Sequence, residues 1–151
     1  IDFETLRTLS RLAREKYTLA GAVQHGASTL PENMFHKFPE VETAEIHLAT
    51  QFQNMVYESQ YFPDELRKRM YAWLKENHRN EWKKGETESQ FIYKTRKRAL
   101  GKFKAEIMGL KPGIRAAIAA EVEAKFAFLF SQLNLANTLT LINRYVKQEQ
   151  E

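Results

Sequence analysis

The sequence contains no cysteine. That excludes a disulfide framework and any thiolate metal site, and it suits a reducing compartment. No apolar run approaches the ~20 residues that a membrane span needs. The N-terminus is not a secretory signal, because Asp2, Glu4, Arg7 and Arg11 interrupt it. A cytoplasmic protein with no membrane attachment is therefore expected. The chain opens on Ile1 rather than methionine, so a processed, truncated or partial chain is expected too. No Walker loop, GxGxxG, HExxH or GxSxG pattern occurs, and the carboxylates are not paired as glycoside chemistry requires. Internal repeats and low-complexity stretches are also missing.

What is present is 151 residues, enough for one ordinary domain with a real core. The net charge of +4 is unevenly placed. Residues 1–60 hold 5 Lys/Arg against 8 Asp/Glu, residues 61–111 hold 14 against 7, and residues 112–151 hold 4 against 4. A basic middle of this kind can bind nucleic acid or acidic ligands. Here Lys/Arg and Asp/Glu mix throughout, which favours a solvated helix surface and weighs against nucleic acid.

Hydrophobic spacing predicts an amphipathic helix over 3–17, with Asp2 as N-cap. A strand follows over Ala20–Gln24. Pro31 opens a short helix through Phe38, which Pro39 stops. A second strand is expected at Thr43–Leu48, then a helix at Thr50–Ser59. Alternation of this sort implies parallel strands joined by crossovers. Beyond Pro63 the pattern is helical: Pro63–Asn77, a polar loop over 78–87, Glu88–Leu110, and a long helix from Ile114 to Tyr145. That last helix carries a stripe of Ile114, Ile118, Val122, Phe126, Leu129, Leu133 and Ala136. Phe128, Leu135, Leu139 and Ile142 widen it, so it is expected to be buried on several sides or to pack against a partner chain. Two parallel strands do not make a stable sheet alone, which suggests the end of something larger.

Four histidines can carry chemistry. His36, between Phe35 and Lys37, and His78, at a polar helix end, read as structural or exposed. His25 and His47 each lie near the C-terminal end of a predicted strand, one crossover apart. In a parallel α/β barrel, active sites form at that face. An isolated histidine is most often a hydrogen-bonded structural residue, so position alone leaves both roles open. Gly26-Ala27-Ser28 follows His25 directly. Small residues after a strand let backbone N–H groups approach a phosphate, and a serine hydroxyl adds a donor. The same residues also suit a tight turn into the helix at Pro31.

The segment Val23-Gln24-His25-Gly26-Ala27-Ser28 resembles the His-Gly-Gly-Ser-Gly segment of class II, metal-dependent fructose-bisphosphate aldolases. Glu45-Ile46-His47-Leu48-Ala49-Thr50 resembles the same family's next strand end, usually Val-Asn-Ile-Asp-Thr. The order and spacing of residues 2 to 59 are similar to the final part of that family's barrel. The resemblance implies an α/β chain: a C-terminal fragment of a TIM (β/α)8 barrel, its last two strand-helix units over 1–60, and an all-helical C-terminal extension over 61–151. It implies that His25 is one of three histidine ligands to Zn2+ or another divalent cation. It further implies that Gly26, Ala27 and Ser28 hold a substrate phosphate, and that His47, Ala49 and Thr50 contact the dihydroxyacetone-phosphate part. In such enzymes the metal polarises a ketone, a proton leaves the adjacent carbon, and an aldehyde is attacked; cleavage runs the same path backwards.

Ala27 stands where the family has its second glycine, Thr29 where it has its last, His47 where it has asparagine, and Ala49 where it has aspartate. These departures point to a divergent member. The other two histidines and the acid/base aspartate lie upstream in the family, so no catalytic residue is expected within these residues and the fragment alone is expected to be inactive. The expected partners are a phosphorylated sugar and further copies of the chain. The alternatives are a non-catalytic aldolase-like subunit and a basic helical module, carried by 61–151, that binds nucleic acid or a protein partner.

Overall fold

The computed structural model describes residues 1–146. They pack as two units. One comprises Ile1–Gln51 with the residues from Glu123 on, and the other Phe52–Val122.

The first unit opens with α1, Phe3–Tyr17, as its spacing predicts. Asp2 is the N-cap: its backbone is extended, and its Oδ1 accepts the N–H groups of Glu4 and Thr5, each at 3.1 Å. These bonds to the ionised carboxylate, that of Thr5 foremost, hold the Asp2 pKa below its ordinary value. The helix buries Leu6 and Ser10. The Ser10 hydroxyl accepts the N–H of Ala22 at 3.2 Å and so anchors the start of the sheet to the helix.

Strands β1, Val23–Gln24, and β2, Glu45–Ile46, pair in parallel, with Val23 opposite Glu45 and Gln24 opposite Ile46. Both are shorter than the expected Ala20–Gln24 and Thr43–Leu48. Before β1, the N–H of Ala22 is given to a side chain. Gly21 sits there at φ +149°, where a Cβ would stand 3.0 Å from the Glu42 carbonyl oxygen. After β1, Gly26 turns left-handed at φ +74°, and two residues after β2 the chain enters a helix.

The crossover differs from the expected helix over Pro31–Phe38. It consists of 3-10 turns at Ala27–Thr29 and Glu32–Met34, then α2, Lys37–Glu40. Pro39 lies inside α2 rather than stopping it. It occupies the first turn, where its missing N–H would have no partner within the helix. The N–H of Val41 closes α2, and Glu42 leads away at φ +58°. Phe35 and Phe38 are fully buried, and Phe3 meets Phe38 edge-on at 5.5 Å.

Helix α3, Ala49–Glu58, leads into the second unit, and α4, Asp64–Asn77, follows with Asp64 and Glu65 in its first turn. The polar stretch 78–87 contains a 3-10 turn at Arg79–Glu81. The expected single helix over Glu88–Leu110 is broken into α5, Glu88–Thr95, a 3-10 turn at Arg96–Arg98, and α6, Ala99–Met108. The break follows Thr95, whose buried hydroxyl donates to the Phe91 carbonyl at 2.7 Å and competes with the helix backbone. The core of this unit gathers Phe62, Leu66, Met70, Leu74, Phe91 and Phe103.

The expected helix from Ile114 to Tyr145 is also two: α7, Pro112–Gln132, and α8, Leu139–Tyr145. Asn134 takes a left-handed φ of 56°, and the N–H of Leu135 reaches back to the Phe130 carbonyl at 2.9 Å. This is a helix-ending motif that asparagine enters with little strain. Of the apolar stripe, Ile118 and Leu129 are buried, whereas Phe126, Leu135, Leu139 and Ile142 are exposed.

The described residues are thus mostly helical, with one parallel sheet of two strands and no third strand among them. No helix among them is long and apolar enough to cross a membrane.

Leu74 is fully buried in the second core. Leu74→Ala should lower unfolding free energy by about 2–5 kcal/mol, read from urea midpoints at constant slope. Asp2 gives a pH-dependent prediction. Its folded pKa is lowered, so its contribution is present above the unfolded pKa of ~4 and is lost as pH falls through the folded value. The stability difference between wild type and Asp2→Ala should therefore shrink as pH is lowered below ~4 in parallel denaturation series.

Candidate functional site

The parallel ladder determines where the two singled-out histidines stand. The N–H of Ala44 donates to the Ala22 carbonyl, and the N–H of His47 to the Gln24 carbonyl, both at 2.9 Å. The second bond brings the residues leaving β1 and β2 to the same end of the sheet. The His25 and His47 rings meet there edge to face, with centroids 4.3 Å apart and planes at 63°. The side-chain amide of Gln24 donates to the His25 carbonyl at 2.5 Å and fixes the backbone of that corner.

The two imidazoles differ in what they can still bind. The Nε2 of His47 is 2.5 Å from Glu45 Oε1, so that nitrogen is engaged by a carboxylate on its own strand. His25 is exposed, and among the described residues its ring meets His47 while neither ring nitrogen has a hydrogen-bond partner. A neutral imidazole with a free nitrogen is a common ligand for zinc and similar cations. Among the described residues no group of three His, Cys, Asp or Glu is arranged to hold a metal. His25 fits one ligand position of such a site, and the described residues do not complete it.

The remaining singled-out residues lie on the two segments leaving the strands. Gly26, left-handed, opens the 3-10 turn of Ala27–Thr29, which the Leu30 N–H closes on the Ala27 carbonyl at 3.1 Å. A Cβ on Gly26 would meet nothing within 4 Å, so its backbone angle rather than crowding explains the glycine. Ala27 is fully buried as a whole residue, at the start of that turn. Ser28 is half-buried. Ala49 and Thr50 form the first turn of α3, and Thr50 is exposed. His36 is exposed on the crossover, 3.9 Å from Glu40, and half-buried His78 pairs with Glu81 at 3.1 Å.

One group in the second unit escaped the sequence pattern. Arg96 is 4% exposed, its Nη1 donates to Glu58 Oε1 at 2.7 Å, and its guanidinium lies 4.9 Å from the Tyr93 ring centroid. Its Nε and Nη2 are buried without a partner. Those two donors share one edge of the planar group, the edge that matches two oxygens of a carboxylate or phosphate. In the sequence Arg96 is one of three consecutive basic residues, and nothing there separates it from exposed Lys97 and Arg98. In the same unit, burial pushes the Tyr57 phenol pKa above its ordinary value.

The basic middle segment is extensively paired. Arg67, Lys68, Arg69, Lys75, Lys94, Arg96 and Arg98 each form an ion pair with an Asp or Glu. Among the described residues, seven of its 14 cations are thus matched by a carboxylate, and the segment keeps its excess of positive charge. No protein-family model, curated protein or solved structure matches the chain.

Gly26→Ala should cost about 1–2 kcal/mol in unfolding free energy, because a side chain there must adopt a left-handed angle in open space. Gly26→Asn should cost less in the same measurement. Equal stability of Gly26→Ala and wild type would show that the angle does not matter.

Proposed function

We propose that this chain is the C-terminal portion of a class II aldolase-like enzyme, a divergent member acting on a ketose bisphosphate of the fructose-1,6-bisphosphate type. The observation that carries the reading is the pairing of His25 with His47 at adjoining ends of two parallel strands, each followed directly by a helical turn. In this reading residues 1–60 supply the last two strand-helix units of a TIM (β/α)8 barrel, and residues 61–151 form its helical extension. The reading carries with it a cytoplasmic homo-oligomer.

His25 would be one of three histidine ligands to Zn2+ or another divalent cation. When bound, such a cation supplies Lewis-acid polarisation of a substrate carbonyl. His47, held by Glu45, stands against the His25 ring and limits how that ring can turn. Gly26, Ala27 and Ser28 would hold a substrate phosphate through backbone N–H groups and the Ser28 hydroxyl. Thr50 and the first turn of α3, with His47 and Ala49, would face the dihydroxyacetone-phosphate part. No group here is assigned the proton transfer, which the family's upstream aspartate would perform.

The alternative of a basic nucleic-acid module draws less support, since half of the cations in that segment are matched by carboxylates. A non-catalytic aldolase-like subunit would keep the same fold with no activity. In the full-length protein, His25→Ala should remove the bound metal and abolish metal-dependent cleavage of fructose-1,6-bisphosphate, while these residues alone should be inactive. Unchanged metal content and activity in His25→Ala would contradict the assignment. Metal without cleavage in the wild-type protein would favour the non-catalytic subunit.

A further inference from the structure

Lys125, on α7, is the one buried lysine among the described residues, 8% exposed. Its ammonium lies 5.0 Å from the Phe128 ring centroid and 5.8 Å from that of fully buried Phe35. It donates to Glu32 Oε1 at 2.5 Å. Packing alone does not explain a cation there. An apolar side chain of similar length would fill the space between two rings without the desolvation penalty of an ammonium. What the charge adds is a fixed partner for Glu32, 93 residues away in sequence.

Glu32 begins the 3-10 turn that follows Pro31, two residues after the Ala27–Thr29 turn. The segment between them is stiff. Leu30 closes one turn on the Ala27 carbonyl, Met34 donates to the Pro31 carbonyl, Phe35 donates to the Glu32 carbonyl, and Pro31 has a ring-locked φ of −57°. Holding Glu32 therefore holds the exit of the loop that carries Gly26, Ala27 and Ser28. The ammonium is committed to Glu32 and enclosed by rings, so Lys125 acts through Glu32 rather than on a ligand.

We propose that Lys125 is a positioning residue: its ion pair with Glu32 pins the Gly26–Leu30 loop to α7 in the geometry that binds phosphate. The inference rests on the phosphate role of that loop in the proposed function. The test uses the full-length protein with E32Q and K125M. The Glu32 side chain is 66% exposed, so E32Q removes the ion pair with little disturbance of the core. Amide hydrogen exchange over residues 26–34 should accelerate about tenfold in both variants, and inorganic phosphate should bind about tenfold more weakly. Zinc content should not change, and KM for fructose-1,6-bisphosphate should rise with kcat within about twofold. Unchanged exchange or unchanged phosphate affinity in E32Q would overturn the proposal, as would a wild-type protein with no affinity for inorganic phosphate. A wild-type protein that binds phosphate but cleaves no sugar counts against the aldolase reading alone, because neither exchange nor phosphate binding uses that activity.

Discussion

The candidate site depends on the parallel pairing of two dipeptides. Val23-Gln24 and Glu45-Ile46 contribute little buried surface, yet their ladder determines which residues emerge side by side. The bond from the His47 N–H to the Gln24 carbonyl aligns the two strand ends and brings the His25 and His47 rings together. A slip of one residue would turn every side chain of one strand to the opposite face and separate the rings. The surroundings hold that register. Ser10 anchors Ala22, the missing side chain of Gly21 allows close approach to Glu42 and Ala44, and Arg14 of α1 pairs with Glu42.

Within that frame the two histidines have different surroundings. Glu45 engages one nitrogen of His47, while His25 has no such engagement among the described residues. A histidine whose orientation is fixed by a carboxylate supports a neighbour, and a histidine with a free nitrogen is available to a ligand. The loop after His25 is controlled in the same manner from farther away, through Glu32 and buried Lys125. Both devices use a side-chain contact to a carboxylate to restrict groups that the short strands alone would leave free.

Elements with a local cause were legible in the sequence. Asp2 before an amphipathic stretch marks α1, Pro63-Asp64-Glu65 marks the start of α4, and the apolar runs flanking the crossover place both strands. The histidines were legible as strand-end residues, and the structure places their rings together. Other features depend on contacts far apart in sequence or on one side-chain bond. The start of β1 is cut back where the Ala22 N–H goes to Ser10, twelve residues away. The helix after Glu88 breaks where the Thr95 hydroxyl takes the Phe91 carbonyl, and the final helix breaks where Asn134 turns left-handed. A hydrophobic period continues through both breaks, so periodicity alone joins what the backbone separates. Arg96 and Lys125 read as ordinary basic residues because burial is a tertiary property.

The central claim is that His25 is a metal ligand and that His47, held by Glu45, is its neighbour. Histidine-selective nitrogen NMR of the full-length protein, with and without zinc, tests it most directly. The account predicts that zinc shifts a His25 ring nitrogen into the range of a metal-bound imidazole, while the His47 nitrogen keeps the signature of its carboxylate bond. Zinc binding that leaves the His25 signals unmoved would contradict it.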